Sequence, residues 1–427
     1  MRLSKYNVTL NTDDGLILAN LVSGGVAKLN ADYRTRFLAY EAGGRNDASF
    51  EQELAEGGFV ICDNEDELAK LMVQSRVERF SSECLALTIA PTMGCNFRCP
   101  YCYEKGARVA TMGVSVEDGI AAFIEDRKQE LTSLDVTWYG GEPLLAMNVI
   151  RSLTGKMRAS IRKDALYSAS IVTNGYLLTH DIAQELNELG VNSAQVTLDG
   201  SKHDHDARRV PADGTPTYDE ILNNVAVCVE AIDITVRVNV DKHNIAAAEE
   251  LLDRFEENGL KNRVRFYLAA VDDINKTCTA DLSCMGVEEF SSREIAFYTH
   301  AMERGFAVEL MPPQNIGICC AVSTRAFVID PIGNLYKCWD EIDRNERSVG
   351  NVCSPLSLNE NAVRWLSYEP GDAECRDCFA FPVCMGGCPN HALHSGKKEC
   401  ASIRYNIMQR LALLERSEKL KQTVSHV

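Results

Sequence analysis

TIAPTMGCNFRCPYCYE, residues 88–104, begins as an apolar strand and runs into a loop carrying Cys95, Cys99 and Cys102 in a Cys-x3-Cys-x2-Cys spacing. A four-iron cluster ordinarily takes four thiolates, so three cysteines in one loop leave one iron without a protein ligand. An open metal position is where substrate binds, by the logic that separates catalytic from structural zinc sites. A zinc loop is the competing reading, but it needs a fourth ligand, and no His or Cys follows closely behind Cys102. Unrelated core cysteines are the third reading, and buried structural cysteines do not fall in a Gly-Cys-Asn-x2-Cys-Pro loop.

Outward from this loop, short apolar runs alternate with helical stretches. The expected strands are 85–90, 134–139, 167–173, 193–198, 234–240 and 262–270, spaced by 26 to 49 residues, which leaves room for a crossover helix each. Six β-α units imply an α/β fold with a parallel sheet, either a partial barrel or a doubly wound sheet. In parallel barrels the chemistry gathers at the C-terminal ends of the strands. The cysteine loop follows the first strand, Gly140-Gly141-Glu142-Pro143 the second and Thr173-Asn174-Gly175 the third; Asp199-Gly200 closes the fourth, and Arg237 and Asn239 end the fifth. Singly, Gly-Gly, Asn-Gly and Asp-Gly read as turns. Together they point at one mouth.

Before this region, Tyr6 to Leu10, Gly15 to Val22 and Val26 to Leu29 alternate like strands separated by turn residues. Asn30 is placed to cap a helix through Tyr40, Phe50 to Glu56 is helical, residues 59–62 are a short strand, and Asp63 is placed to cap a further helix. Residues 1–82 are therefore expected to form an N-terminal α+β domain. Ser115 with Asp118 gives a capping pattern to the helix after the first barrel strand. Beyond about 315 the chain is rich in loops and cysteines, as where metal replaces apolar burial, and from about 403 it reads as one amphipathic helix.

The 427 residues, 45% hydrophobic and 25% charged, describe a folded, water-soluble chain of two or three domains. The start, MRLSKYNVTLNTDDG, has no apolar stretch of signal-peptide length, and no segment approaches a membrane span, so a cytoplasmic location without membrane attachment is expected. A net charge of −17 argues against nucleic acid as the main partner. Most of the 17 cysteines fall at 95–102 and 319–400. In a reducing compartment they are metal ligands, catalytic thiols or small buried residues, not a disulfide framework.

The second cysteine group runs Cys320, Gly333, Cys338, then Cys375-x2-Cys378-x5-Cys384-x3-Cys388, then Cys400. Gly333 in VIDPIGNLYKC suits a hairpin turn. Taken alone, residues 375–388 suit a four-cysteine zinc site as well as iron; the Cys95 loop and the further cysteines in register favour iron.

The Cys95–Cys102 spacing, with aromatic Tyr101 before the last cysteine, resembles the signature of the radical S-adenosylmethionine superfamily, and the C-terminal array resembles the SPASM extension of its peptide- and protein-modifying members. The resemblance covers residues 85 to 405. It implies a partial (β/α)6 barrel over 83–315, a SPASM domain over 316–405 with two auxiliary four-iron clusters, and a C-terminal helix over 406–427. It further implies S-adenosylmethionine and three [4Fe-4S] clusters as cofactors. By resemblance, Cys95, Cys99 and Cys102 hold the catalytic cluster and Tyr101 packs near the adenine. Gly140, Gly141 and Glu142 hold the methionine ammonium; Thr173, Asn174, Arg237 and Asn239 line the carboxylate and ribose region. Cys375, Cys378, Cys384 and Cys400 bind an outer auxiliary cluster, and Cys320, Cys338 and Cys388 an inner one, whose fourth ligand is open among Cys319, Cys284, Cys278 and none. VTLDGSKHDHDARR resembles the family's fourth strand and following loop, without roles for His205, Asp206, Arg208 or Arg209.

Such an enzyme passes one electron into S-adenosylmethionine, from a flavodoxin or ferredoxin-type donor, to give a 5′-deoxyadenosyl radical. The expected substrate is a ribosomal precursor peptide: the array is typical of peptide modifiers, the N-terminal domain resembles leader-peptide recognition modules, and KCWDEIDRNERSVGNV with CMGGCP looks most like maturases that form thioether crosslinks. An anaerobic sulfatase maturase or a carbon–carbon crosslinking maturase is the alternative. A non-catalytic iron–sulfur or zinc scaffold is the alternative of another class, and the Gly140–Glu142 and Thr173–Gly175 motifs speak against it.

Overall fold

A computed structural model describes residues 1–44, 47–272, 284–396 and 399–424. Cys278 lies outside the described residues. The chain begins with β1 (Arg2–Leu3), β2 (Asn7–Thr12), β3 (Gly15–Asn20), β4 (Val26–Asn30), α1 (Ala31–Glu41), α2 (Ala48–Glu56), β5 (Val60–Ile61) and α3 (Glu67–Phe80). Strands then alternate with helices: β6 (Cys84–Thr92), α4 (Val114–Glu125), β7 (Ser133–Gly140), α5 (Met147–Ser160), β8 (Leu166–Thr173), α6 (His180–Glu188), β9 (Val191–Thr197), α7 (Lys202–Arg208), α8 (Tyr218–Cys228), β10 (Asp233–Val240), α9 (Glu250–Glu257) and β11 (Arg265–Ala270). After α10 (Val287–Glu303) come β12 (Ala326–Ile329), β13 (Asn334–Tyr336), β14 (Gly350–Asn351) and α11 (Glu360–Leu366). The chain continues through α12 (Ala373–Asp377), α13 (Phe381–Cys384), α14 (Pro389–Ser395) and α15 (Ile403–Val424).

These elements form two compact units, one of residues 79–286 and 320–368, the other of residues 1–78, 287–319 and 369–427. The boundaries expected at 82, 315 and 405 follow changes of pattern along the chain, whereas each unit gathers separated stretches.

The first unit contains the six expected strands, parallel and in sequence order from β6 to β11. Their inward residues, among them Leu85, Leu87, Ile89, Leu134, Val136, Trp138, Ile171, Val196 and Val236, are buried. Each such aliphatic or aromatic residue contributes roughly 1.5–3 kcal/mol of burial. The sheet is longer than six strands: β12 adds parallel to β6, and β13 and β14 follow antiparallel. The β12–β13 hairpin turns at Gly333, whose φ of +86° is open to glycine without a Cβ clash, and Asp330 Oδ1 accepts from the N–H groups of Ile332 and Asn334. The capping pattern expected at Ser115 is not used, since α4 starts at Val114 behind Gly113 without a side-chain cap.

In the second unit β2, β3 and β4 form an antiparallel sheet in which all six residues of β3, GLILAN, are buried. Alternation along a strand explains this. Leu16 and Leu18 face a core with Leu29, Phe37, Tyr40, Phe50 and Leu54, while Ile17 and Ala19 join Ala380, Val383, Ile403, Ile407 and Leu411. The N-terminal sheet and the cysteine-rich C-terminal stretch thus share a core. Asn30 caps α1 as expected, accepting from Tyr33 N–H, but Asp66 rather than Asp63 accepts from the first turn of α3, at Ala69 N–H. Arg410 of α15 pairs with Glu294 of α10 at 2.6 Å and also donates to Asn406 Oδ1 and Leu310 O, so this buried charge is fully engaged.

Candidate active site

The C-terminal ends of β6 to β10 carry the residues singled out by sequence. The cysteine loop leaves β6, and two backbone bonds fasten it to the turn after β7: Glu142 N–H donates to Gly94 O at 2.8 Å and Gly141 N–H to Thr92 O at 3.2 Å. Glycine is required here by crowding. A Cβ on Gly141 would stand 2.3 Å from Gly94 O, and Gly140, at φ +101°, lies against Thr92 O and Ala90.

Glu142 is fully buried. Its Oε1 accepts from Thr173 Oγ1 at 2.7 Å and Leu144 N–H at 3.1 Å, and its Oε2 from Asn174 N–H at 2.8 Å. Burial pushes this carboxyl above its ordinary range, and those donors pull it back. With two lone pairs on each oxygen, Oε2 retains one acceptor position. Asn174 in turn donates from Nδ2 to Asn96 Oδ1 at 2.8 Å, tying the end of β8 to the cysteine loop, and Asn224 of α8 donates to Gly175 O and Tyr176 O. Glu142, Thr173 and Asn174, chosen separately from sequence, form one hydrogen-bonded assembly.

Tyr101 reaches across the mouth. Its hydroxyl donates to Asp199 at the end of β9, accepts from Arg209 Nη1 at 3.0 Å and lies 3.5 Å from Asn239 Nδ2. Arg237 donates from Nε to Asn239 Oδ1 at 2.8 Å, so these two residues of β10 lean on one another and, through Asn239, on Tyr101. By sequence Asp199 stands at the mouth without an assigned contact, and His205, Asp206, Arg208 and Arg209 have no roles. The structure supplies positions for all of them. His205 Nδ1 accepts from Asp199 N–H at 3.2 Å, which leaves Nε2 to donate to Thr217 Oγ1 at 3.2 Å; Thr217 donates to Arg209 O at 3.0 Å. Burial and the nearby Arg209 and Arg208 hold His205 neutral, well below its ordinary pKa. Asp206 accepts from Thr217 and Tyr218 N–H groups at the start of α8, and Arg208 pairs with Asp241 at 3.1 Å. The signal was Asp199 lying within reach of two consecutive arginines on the following helix.

The thiols of Cys95, Cys99 and Cys102 are raised chiefly by burial, Cys95 to about 11 and Cys102 to about 12, and the other cysteines of the loop add to the rise at Cys95 and Cys102. Three soft donors thus converge at the mouth, which is the chemistry a cubane needs. Beside them, Asp199 Oδ1, Arg208 Nη2 and Arg209 Nε are buried polar atoms without a partner among the described residues. Buried polar atoms of this kind call for a polar ligand. Both observations fit a thiolate-bound cluster with a zwitterionic molecule beside it.

The other cysteines divide by unit. In the unit of the N-terminal sheet, Cys384 feels Cys378, Cys375 and Cys400, so these four thiols lie together; Cys388 stands exposed at the start of α14. In the barrel unit, Cys338 follows β13, and the buried ring of Tyr139 feels both Cys102 and Cys338 and packs 4.7 Å from Trp339. Cys320 opens a short 3-10 turn before β12. Cys284, Cys319 and Cys320 are described as thiols, and none of the described cysteines is in a disulfide. No helix among the described residues is long and apolar enough to cross a membrane.

Residues 89–255 match the model of the Radical SAM superfamily. The chain is 22% identical over 335 residues to the cysteine-type anaerobic sulfatase-maturating enzyme of Clostridium novyi, covering 71% of this chain and 87% of that one. Among solved structures it resembles native anSMEcpe with bound AdoMet and Kp18Cys peptide, with a TM-score of 0.63, 17% identity and coverage of 79% of this chain and 99% of that one. It also resembles Streptococcus suis SuiB bound to the precursor peptide SuiA, with a TM-score of 0.55, 15% identity and coverage of 94% and 97%. At such identities the structural likeness is one of fold. Joined to the family match, it shows that residues 89–255 carry the domain of a radical S-adenosylmethionine enzyme, a superfamily whose members work with S-adenosylmethionine and a four-iron cluster.

Proposed function

We propose that this enzyme is a maturase that modifies a ribosomally made peptide or small protein, and that the bond it forms is a thioether crosslink. The observation that carries the reading is the grouping of Cys375, Cys378, Cys384 and Cys400 in the unit that does not contain the three-cysteine loop, a second thiol set in addition to the one expected to be catalytic. Cys95, Cys99 and Cys102 would hold the catalytic cluster. Bound there, S-adenosylmethionine and reduced iron supply a 5′-deoxyadenosyl radical able to take hydrogen from an unactivated carbon.

The protein's own part is to bind and orient. The carbonyls around Gly140 and Gly141 and the remaining acceptor position of Glu142 suit an ammonium, and the unpartnered guanidinium nitrogens of Arg208 and Arg209 suit a carboxylate. Thr173, Asn174, Arg237 and Asn239 would line the carboxylate and ribose region, and Tyr101, tied to Asp199 and Arg209, would fix the wall near the adenine. Cys375, Cys378, Cys384 and Cys400 would take the outer auxiliary cluster, and Cys320, Cys338 and Cys388 the inner one. The proposed division of the chain is a recognition sheet within 1–82, a barrel over 83–315, a SPASM region over 316–405 and a terminal helix. The partners would be a precursor peptide and a flavodoxin or ferredoxin-type electron donor.

Similarity to the Clostridium novyi enzyme favours a second reading, a sulfatase maturase. The test is anaerobic turnover with two substrates, the short cysteine-rich peptide encoded nearest this gene and a sulfatase peptide. A cysteine-rich product that has lost two hydrogens and one alkylatable thiol supports the thioether reading. Turnover of the sulfatase peptide alone replaces it with the second.

A further inference from the structure

Arg404 lies in the first turn of α15, four residues beyond Cys400. Its Nη1 donates to Cys400 Sγ at 3.1 Å and its Nη2 to Glu374 Oε1 at 3.0 Å. The hydroxyl of Tyr405, the next residue, lies close enough to feel the charge of the same sulfur. The turn that carries them is anchored by Ile403 and Ile407 in the core with Ile17, Ala19, Ala380 and Val383. A neutral thiol is a weak acceptor, whereas a thiolate attracts a charged donor strongly. A guanidinium and a phenol directed at one sulfur of a four-thiol group therefore match a sulfur that carries negative charge.

We propose that Arg404 and Tyr405 set the reduction potential of the outer auxiliary cluster, holding it higher than its four thiolates alone would, and that Glu374 moderates this by pairing with the guanidinium. The inference rests on the reading that Cys375, Cys378, Cys384 and Cys400 bind a cluster. Its physics is that donors and positive charge at a ligand sulfur favour the reduced, more negative cluster over the oxidised one. Glu374 is mostly exposed, so it opposes the guanidinium without itself being part of a packed core. Two residues on one guanidinium then act on the cluster with opposite signs.

The experiment is a redox titration of the full-length, anaerobically reconstituted protein carrying Cys95→Ala, Cys99→Ala and Cys102→Ala, so that only the auxiliary clusters respond, followed by electron paramagnetic resonance. In that background Arg404→Gln is expected to lower the midpoint of one component by a tenfold change in its reduction equilibrium, about 59 mV for one electron. Tyr405→Phe lowers the same component by less, Arg404→Lys falls between Gln and wild type, and Glu374→Gln raises it. Iron per chain stays unchanged, and Glu374→Gln leaves the Arg404–Cys400 bond in place should Arg404→Gln fold poorly. Midpoints unmoved by both Arg404→Gln and Glu374→Gln at full iron content would overturn the inference while leaving the cluster reading intact. Full iron and an unaltered signal in Cys400→Ala would instead remove the cluster from these cysteines, and the inference with it.

Discussion

Gly141 and Glu142 stand side by side in sequence and do opposite work in the structure, the first by having no side chain and the second by having one with three hydrogen bonds. For Gly141→Ala the new methyl would meet Gly94 O and Met93 O, which are backbone atoms of the cysteine loop and cannot rotate away. Such overpacking costs about 1–3 kcal/mol, and it acts on the loop that must present three thiols. The variant is expected to bind less iron at the catalytic site and to cleave S-adenosylmethionine more slowly, as measured by iron content and 5′-deoxyadenosine; unaltered values would mean that the loop shifts freely. Glu341 offers a test by pH. It is buried, accepts from Trp365 Nε1 at 3.1 Å, and burial pushes its carboxyl up to about 7 from 4.5, against the pull of Arg347, Arg364 and Arg344. The folded state therefore favours the protonated acid. That contribution is complete below about 4.5, fades between 4.5 and 7 as the unfolded chain ionises, and is lost above 7, for a total of about 3 kcal/mol. Glu341→Gln keeps an acceptor for Trp365 and cannot ionise, so it should raise the melting temperature at a pH of about 8 and not at about 4.5. Equal shifts at both pH values would show that Glu341 ionises freely in the fold. At this scale the cysteines were legible because their spacing is local, whereas the Asp199–Tyr101 and Arg209–Tyr101 bonds join residues 98 and 108 positions apart and leave no local pattern.

Among the elements, β3 is the one whose surroundings change what its substitution should do. Ile17 points into the core formed with Ala380 and Val383, which lie between Cys378 and Cys384, and with the helix that follows Cys400. Ile17→Asp would bury an unpaired carboxylate at that place, a large penalty by any measure. It should therefore reduce iron from about twelve to about eight per chain, at four per cluster, even though residue 17 is far from every cysteine in sequence. Iron content of the purified variant decides this, and a full complement would mean that the sheet and the cysteine stretch hold their shapes independently. The same geometry bears on removing residues 1–78, which would expose this core as well as delete the sheet proposed to recognise peptide, so peptide binding by such a truncation must be read beside its iron content. By sequence Gly15 to Val22 reads as an alternating strand, whereas all of GLILAN is buried; its apolar run fits burial on both faces, since a strand with one wet face alternates. The joining of β12 to the edge of β6 was not legible: AFVI reads identically as a free hairpin arm and as a seventh parallel strand, because edge pairing uses backbone groups that every residue shares. The six barrel strands were legible, each being a short apolar run with room for a helix behind it.

Over the whole molecule, the two compact units carry different thiol sets: the Cys95 loop directly follows β6, whereas Cys375 to Cys400 lie far along the chain from the N-terminal sheet of their unit. The strand ends of the barrel unit supply half-buried thiols, a buried carboxylate and unpartnered guanidinium nitrogens around one mouth. The other unit holds Cys375 and Cys384 in short helices, with Cys378 just past the first of them and Cys400 before α15, and this stretch shares a core with an antiparallel sheet. Such a division predicts that the sets can be emptied separately. The catalysis proposed for the enzyme depends on the Cys95 loop as the place where S-adenosylmethionine is cleaved. In the Cys95→Ala, Cys99→Ala, Cys102→Ala triple variant, reconstituted without oxygen and reduced with dithionite, formation of 5′-deoxyadenosine should be abolished while about eight irons per chain remain, at four per cluster. Cleavage at the wild-type rate in that variant would contradict the account.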